Sequence, residues 1–222
     1  MKRLYSLAVA MGTAVLASAQ ITGLTTETVV VHDGSIPELS GYTTYRVYAE
    51  LTDSLDFVSA VYGTDTAPLL IGCDSCSFFQ SSPGGVNYNL GNAINTLLFG
   101  AFPTLAYDSW LTIGAEDSDG GNEVSLVGDG LTAGLDLFNQ GLGFAVDDAF
   151  GGSWFNTFQC NEDQISITGI SLAECAEGNP AFAGEDNRVL LAQLTANGDI
   201  YGILNVQVFV GGSQDNEQKA EN

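Results

Sequence analysis

Oxygen ligands are the chemistry this sequence holds in quantity. Glu116-Asp117-Ser118-Asp119-Gly120-Gly121-Asn122-Glu123 gathers four carboxylates in one short stretch, among glycines that let the backbone turn sharply. Calcium takes about six to eight oxygens, from carboxylates and carbonyls on a flexible loop. Asp117, Asp119 and Glu123, joined by Asp129 from Gly128-Asp129-Gly130, form the candidate calcium set. The spacing is not that of an EF-hand loop, because a third Asp/Asn step is missing and the closing Glu comes too early. The competing reading is a solvated acidic loop, which a chain with 27 Asp/Glu produces readily. Asp147-Asp148 and Glu162-Asp163 are thinner versions of the same pattern.

Sulfur is the second resource. Four cysteines, Cys73, Cys76, Cys160 and Cys175, admit three connectivities, of which the local pairs Cys73–Cys76 and Cys160–Cys175 are the expected ones. A redox dithiol at Cys73-Asp-Ser-Cys76 would need a lowered thiol pKa, which neighbouring Asp74 opposes. A zinc site would need a second tight ligand pair, and Cys160 and Cys175 are too far apart in sequence to supply one.

Aromatic side chains are the third. Polysaccharides are held by exposed rings flanked by polar groups, and Trp154-Phe155 in Gly151-Gly-Ser-Trp-Phe is the candidate ligand-binding pair, although most aromatics of a β domain are core. With 27 acids, some carboxylate pair could stand at glycosidase spacing, but the sequence singles none out. The lone histidine, His32, lies in a turn-like stretch and reads as a surface residue, and no Gly-x-Ser-x-Gly elbow or phosphate-binding loop is present.

Charge excludes whole partner classes. The chain carries 5 Lys/Arg against 27 Asp/Glu, a formal charge of −22. Lys2-Arg3, the apolar residues 4–16 and Ala17-Ser18-Ala19 before Gln20 have the layout of a secretory signal peptide over residues 1–19. Its removal takes away two bases and no acid, moving the charge to about −24. Nucleic acid and anionic membrane surfaces both need cations that this chain lacks. An exported chain also keeps its disulfides.

The elements that must position these groups alternate at period two. Strands are expected over residues 27–31, 42–51, 56–62, 67–72, 109–115, 165–170, 188–195 and 200–210. Residues 42–51 carry bulk on both faces, as in a strand with one core face and one partly covered face. Thr52-Asp53-Ser54 is expected to close a hairpin between 42–51 and 56–62, and Asn197-Gly198 one between 188–195 and 200–210. One short helix is expected over residues 90–102, with Ile94, Leu97 and Leu98 on one face; residues 80–92, 116–134 and 151–162 read as Gly/Asp-rich loops. The fold class is therefore all-β: a single β-sandwich or jelly-roll-like domain over residues 20–210 with at most one short helix, followed by a polar, mobile tail over 211–222.

Several segments together resemble an uncharacterised extracellular β-module found in secreted and surface proteins of marine and environmental, Bacteroidota-type bacteria: residues 42–50, 57–63, Phe78-Phe79-Gln80, residues 108–114, Ser153-Trp-Phe155 and residues 189–195. The resemblance spans nearly the whole chain after residue 19 and implies a surface or extracellular role without a reaction.

The expected function is that of a secreted, non-enzymatic protein at the cell surface or outside the cell. It would be structural and self-assembling through an uncharged strand such as 200–210, or an adhesion module binding extracellular polysaccharide, with calcium as a candidate stabiliser. Its partners would be itself or a polysaccharide, with neither nucleic acid nor membrane insertion. The alternative is a secreted carbohydrate-active hydrolase using paired carboxylates.

Overall fold

The computed structural model describes residues 21–119, 124–157 and 171–221. Within them, twelve strands form three antiparallel sheets. They are β1 (Gly23–Val31), β2 (Thr43–Glu50), β3 (Phe57–Gly63), β4 (Leu69–Cys73), β5 (Trp110–Leu111), β6 (Val124–Val127), β7 (Phe144–Val146), β8 (Gly152–Asn156), β9 (Arg188–Ala196), β10 (Ile200–Ile203), β11 (Asn205–Phe209) and β12 (Glu217–Ala220). A four-stranded sheet has the order β1-β2-β9-β5, a three-stranded sheet β10-β4-β7, and a five-stranded sheet β12-β11-β3-β8-β6.

The main core lies between the four-stranded sheet and the other two. Val47, Ala49, Val189 and Leu191 from the first meet Val58, Val61, Trp154 and Val206 from the five-stranded sheet and Leu69, Ile71 and Phe144 from the three-stranded one. This is the sandwich the alternation predicts. Trp154 fastens the layers, its indole Nε1 donating to Thr112 O at 2.9 Å.

β9 is buried on both faces. Its outer face, with Tyr48 of β2 and Trp110 of β5, lies under residues 80–108 and packs there with Ile94, Leu105 and Leu190 as a second, smaller core. That is why residues 42–51 and 188–195 carry bulk on alternate and non-alternate positions alike.

Both expected hairpins are absent. β2 and β3 belong to different sheets, and so do β9 and β10. The link between β2 and β3 crosses the sandwich around Asp56, a fully buried carboxylate that accepts from Gly211 N at 2.8 Å and Asp53 N at 3.2 Å. At Asn197-Gly198 neither residue takes the positive φ of a two-residue hairpin. Instead Asn197 Oδ1 accepts from Ser77 N at 2.8 Å, and Asp74 N donates to Asp199 O at 3.1 Å. The turn is thus bonded to the loop closed by the Cys73–Cys76 disulfide. A Cβ on Gly198 would stand 2.8 Å from Cys76 Cβ, so glycine serves close approach here. The expected strand 200–210 is split at Leu204, its halves pairing with β4 and β3 in separate sheets. Its second half is interior, between β12 and β3, and is not a free edge.

The helix also falls elsewhere. Residues 90–102 form short 3₁₀ turns, with Ile94 buried and Leu97 88% exposed. Among the described residues the α-helices are α1 (Asp129–Phe138), which begins in a stretch read as loop, and the single-turn α2 (Leu172–Ala176). In α1, Leu131, Leu135 and Phe138 recur at helical spacing on the buried side. Gly134 lets the helix approach β7, since a Cβ there would lie 2.8 Å from Ala145 O and 2.9 Å from the Phe144 ring. The tail is likewise ordered: residues 217–220 are β12, paired with β11 from Phe209↔Glu217 to Val206↔Ala220. The expected strand at 165–170 lies outside the described residues.

Candidate functional site

Alternation along β8 separates the two aromatic candidates. Trp154 turns inward and is 0% exposed, so it is a core residue and no platform. Phe155 faces the other way, onto the outer surface of the five-stranded sheet, and is half-buried.

Register builds a trough around it. Lys219, Gln207, Ala60, Phe155 and Ser125 stand side by side across β12, β11, β3, β8 and β6. Directly paired residues share a face, so this row lies on the outer surface. The small Ala60 forms a floor between Phe155 and Gln207, whose strands are two sheet spacings apart, roughly 10 Å. Ser153 and Val127 form the adjoining row, and Phe209 closes one end, the cavity measuring about 340 Å³. β3 carries an extra residue at this point: the register shifts between Gln207 and Val208, and Ser59 Oγ donates to Gln207 O at 3.2 Å. Bulges of this kind re-aim side chains at sites. Beyond Phe209 the same face is closed, because Phe57 stacks on Phe209 (6.0 Å) and meets Phe182 edge-on (5.0 Å). The trough therefore offers one aromatic face, a side-chain amide and hydroxyls: groups that stack on and hydrogen-bond to a polyhydroxylated ligand.

The acidic loop is arranged differently. Asp117 Oδ1 accepts from Asp119 N at 2.8 Å, closing a local turn. Glu116 is bound by Arg46 at 2.7 Å, and Asp129 begins α1, where a carboxylate suits the positive end of the helix dipole. Glu123 lies outside the described residues. Among the described residues, no three His, Cys, Asp or Glu side chains are grouped to hold a metal ion. Cys73 and Cys76 are bonded to each other as expected, and Cys175 is also disulfide-bonded; Cys160 lies outside the described residues.

The residue that sequence reading missed is Asp108. It is fully buried where the covering segment returns to the sheet, and its Oδ1 accepts from Ser81 N at 2.7 Å and Ser109 N at 3.0 Å. One carboxylate thereby ties both ends of residues 81–109. Burial outweighs these two bonds and pushes its pKa up to about 8. Gln193 Nε2 donates to Ala106 O and Asp108 O at 3.1 and 3.0 Å, and Ser109 Oγ accepts from Thr195 N at 3.0 Å. Thr195 and Thr44 hydroxyls meet at 2.8 Å, and His32 Nε2 reaches Thr44 Oγ1 at 2.9 Å. His32, in the loop after β1, is thus the partly buried end of a polar chain, edge-on to Tyr107; burial lowers its pKa. The proton affinity of Asp108 would suit a general acid, but substrate cannot reach a fully buried carboxyl.

Comparison of the chain with protein-family models, with curated proteins and with solved structures gives no match.

Proposed function

We propose that this chain is an exported, non-enzymatic protein of the cell surface or extracellular space whose five-stranded sheet binds polysaccharide in the trough at Phe155. The observation that carries the reading is the row Gln207–Ala60–Phe155: an aromatic ring and an amide on either side of a small floor, on the outer face of the sheet. A formal charge of −22 repels polyanions, so the ligand class is a neutral or weakly charged glycan. The basic-apolar-small pattern of residues 1–19 supports export. Calcium is not part of the proposal: of the candidate set, Asp117 Oδ1 accepts from Asp119 N, Asp129 begins α1, and Glu123 lies outside the described residues.

Affinity electrophoresis against a panel of neutral and acidic polysaccharides tests this, with reducing-end release measured in parallel. The expected outcome is retardation by at least one neutral glycan without release, reduced about tenfold or more in Phe155→Ala, a loss of about 1.4 kcal/mol. Retardation that persists in Phe155→Ala would remove the site; release of reducing ends would make the protein a hydrolase.

A further inference from the structure

Among the described residues six strands end the three sheets, and they are unequal. β5, β6, β7, β10 and β12 have two to four residues each, whereas β1 has nine. Natural edges are blunted by shortness, lysine, proline or bulges. β12 follows that pattern with Glu217 and Lys219. β1, Gly-Leu-Thr-Thr-Glu-Thr-Val-Val-Val, has neither lysine nor proline, and its one device is the register shift between Thr28 and Val30. Residues 25–29 are all exposed, and Val29 and Val31 are 44% and 69% exposed.

Charge sets β1 apart more sharply still. Two copies of a chain at −22 repel over most of their surface. The only charge on β1, Glu27, is paired with Arg188 at 3.3 Å and stands opposite Arg46 in the register. Arg46 and Arg188, two of the chain's five Lys/Arg residues, thus lie behind this edge, where they offset Glu27 together with Glu116 and Glu50. A cleft of about 230 Å³ opens at the same edge, between β1 and β10, lined by Leu24, Ile200 and Leu204.

We propose that β1 pairs with β1 of a second copy of this chain, antiparallel about a two-fold axis, joining two four-stranded sheets into one. The pairing supplies hydrogen bonds to the unpaired backbone of both strands and covers Val29 and Val31. Being isologous, it closes at a dimer and does not run on as a fibre. Each partner leaves its Phe155 trough open, since the trough lies on a different sheet.

Sedimentation of the full chain between about 0.1 and about 1 M NaCl tests this, because the Debye length falls from ~10 to ~3 Å and the repulsion is screened. The expected result is a monomer at low salt whose mass doubles at high salt, with the dissociation constant raised at least tenfold in Val29→Lys/Val31→Lys. Leu126→Lys, on the β6 edge, is expected to dimerise like the parent. Amide exchange over residues 24–31 should also slow as protein concentration rises, a readout that needs no variant. A parent that stays monomeric at high salt, a β1 variant that dimerises undiminished, or assembly abolished by Leu126→Lys would each overturn the proposal.

Discussion

The two outer faces of the sandwich are treated in opposite ways. The four-stranded sheet is roofed by residues 80–108, and under that roof lie both an apolar cluster around Trp110 and a chain of polar groups that runs from partly buried His32 to fully buried Asp108. Among the described residues, the five-stranded sheet is covered at the end where Phe182 meets Phe57, and a trough lies along it around Ala60, Phe155 and Gln207. On the covered face Gln193 and Thr195 are bonded within the fold, whereas in the covering segment Gln80 Nε2, Asn89 Oδ1, Asn92 Oδ1 and Asp108 Oδ2 are buried without a partner among the described residues. An open face needs no such bonding, so its amide and hydroxyls remain available to a ligand.

If that contrast is right, mutations should act on stability at one face and on binding at the other. The largest effect is expected for Trp110→Ala, which empties the covered cluster and should cost roughly 3–5 kcal/mol in denaturant unfolding. Next is Asp108→Asn. Because burial raises the folded pKa of Asp108 to about 8, the native state holds a proton that the unfolded state releases near the ordinary carboxylate value. Its contribution is full below about pH 4 and is lost as pH rises to about 8. Asp108→Asn should flatten that part of the pH–stability curve and, above about pH 8, leave the variant the more stable of the two, by roughly 2–4 kcal/mol. Unchanged curvature would show that the roof is not held by a protonated carboxyl. Cys73→Ser/Cys76→Ser closes no long loop and should cost about 2 kcal/mol or less, with the disturbance confined to amides around Asn197-Gly198. Phe155→Ala should change stability least, within about 1 kcal/mol, while abolishing glycan retention.

The sandwich itself was legible because period-two alternation survives where a strand has one buried face, as in residues 206–209, where Val206 and Val208 are buried and Gln207 and Phe209 only partly so. Connectivity was not. Asn197-Gly198 and Thr52-Asp53-Ser54 carry hairpin chemistry, yet both are sheet-to-sheet crossings, set by contacts with Ser77, Asp74 and Gly211 that are distant in sequence. α1 was hidden because Gly130 and Gly134 read as breakers, although they are what lets the helix lie close to Asp148 and β7. At the site, the pair Trp154-Phe155 was visible as a pair, but only the register showed that one ring faces the core and the other faces out. Gln207 had a signal of its own, a polar residue between Val206 and Val208, whereas Asp108 had none: burial by a segment arriving from elsewhere leaves no local pattern.

Amide chemical shifts of the protein titrated with a short fragment of the retained glycan test the central claim most directly. The account predicts shifts concentrated at Ala60, Ser153, Phe155 and Gln207, with Thr44, Gln193 and Thr195 unmoved; shifts centred on residues 80–108 or on Asp117 and Asp119 would contradict it.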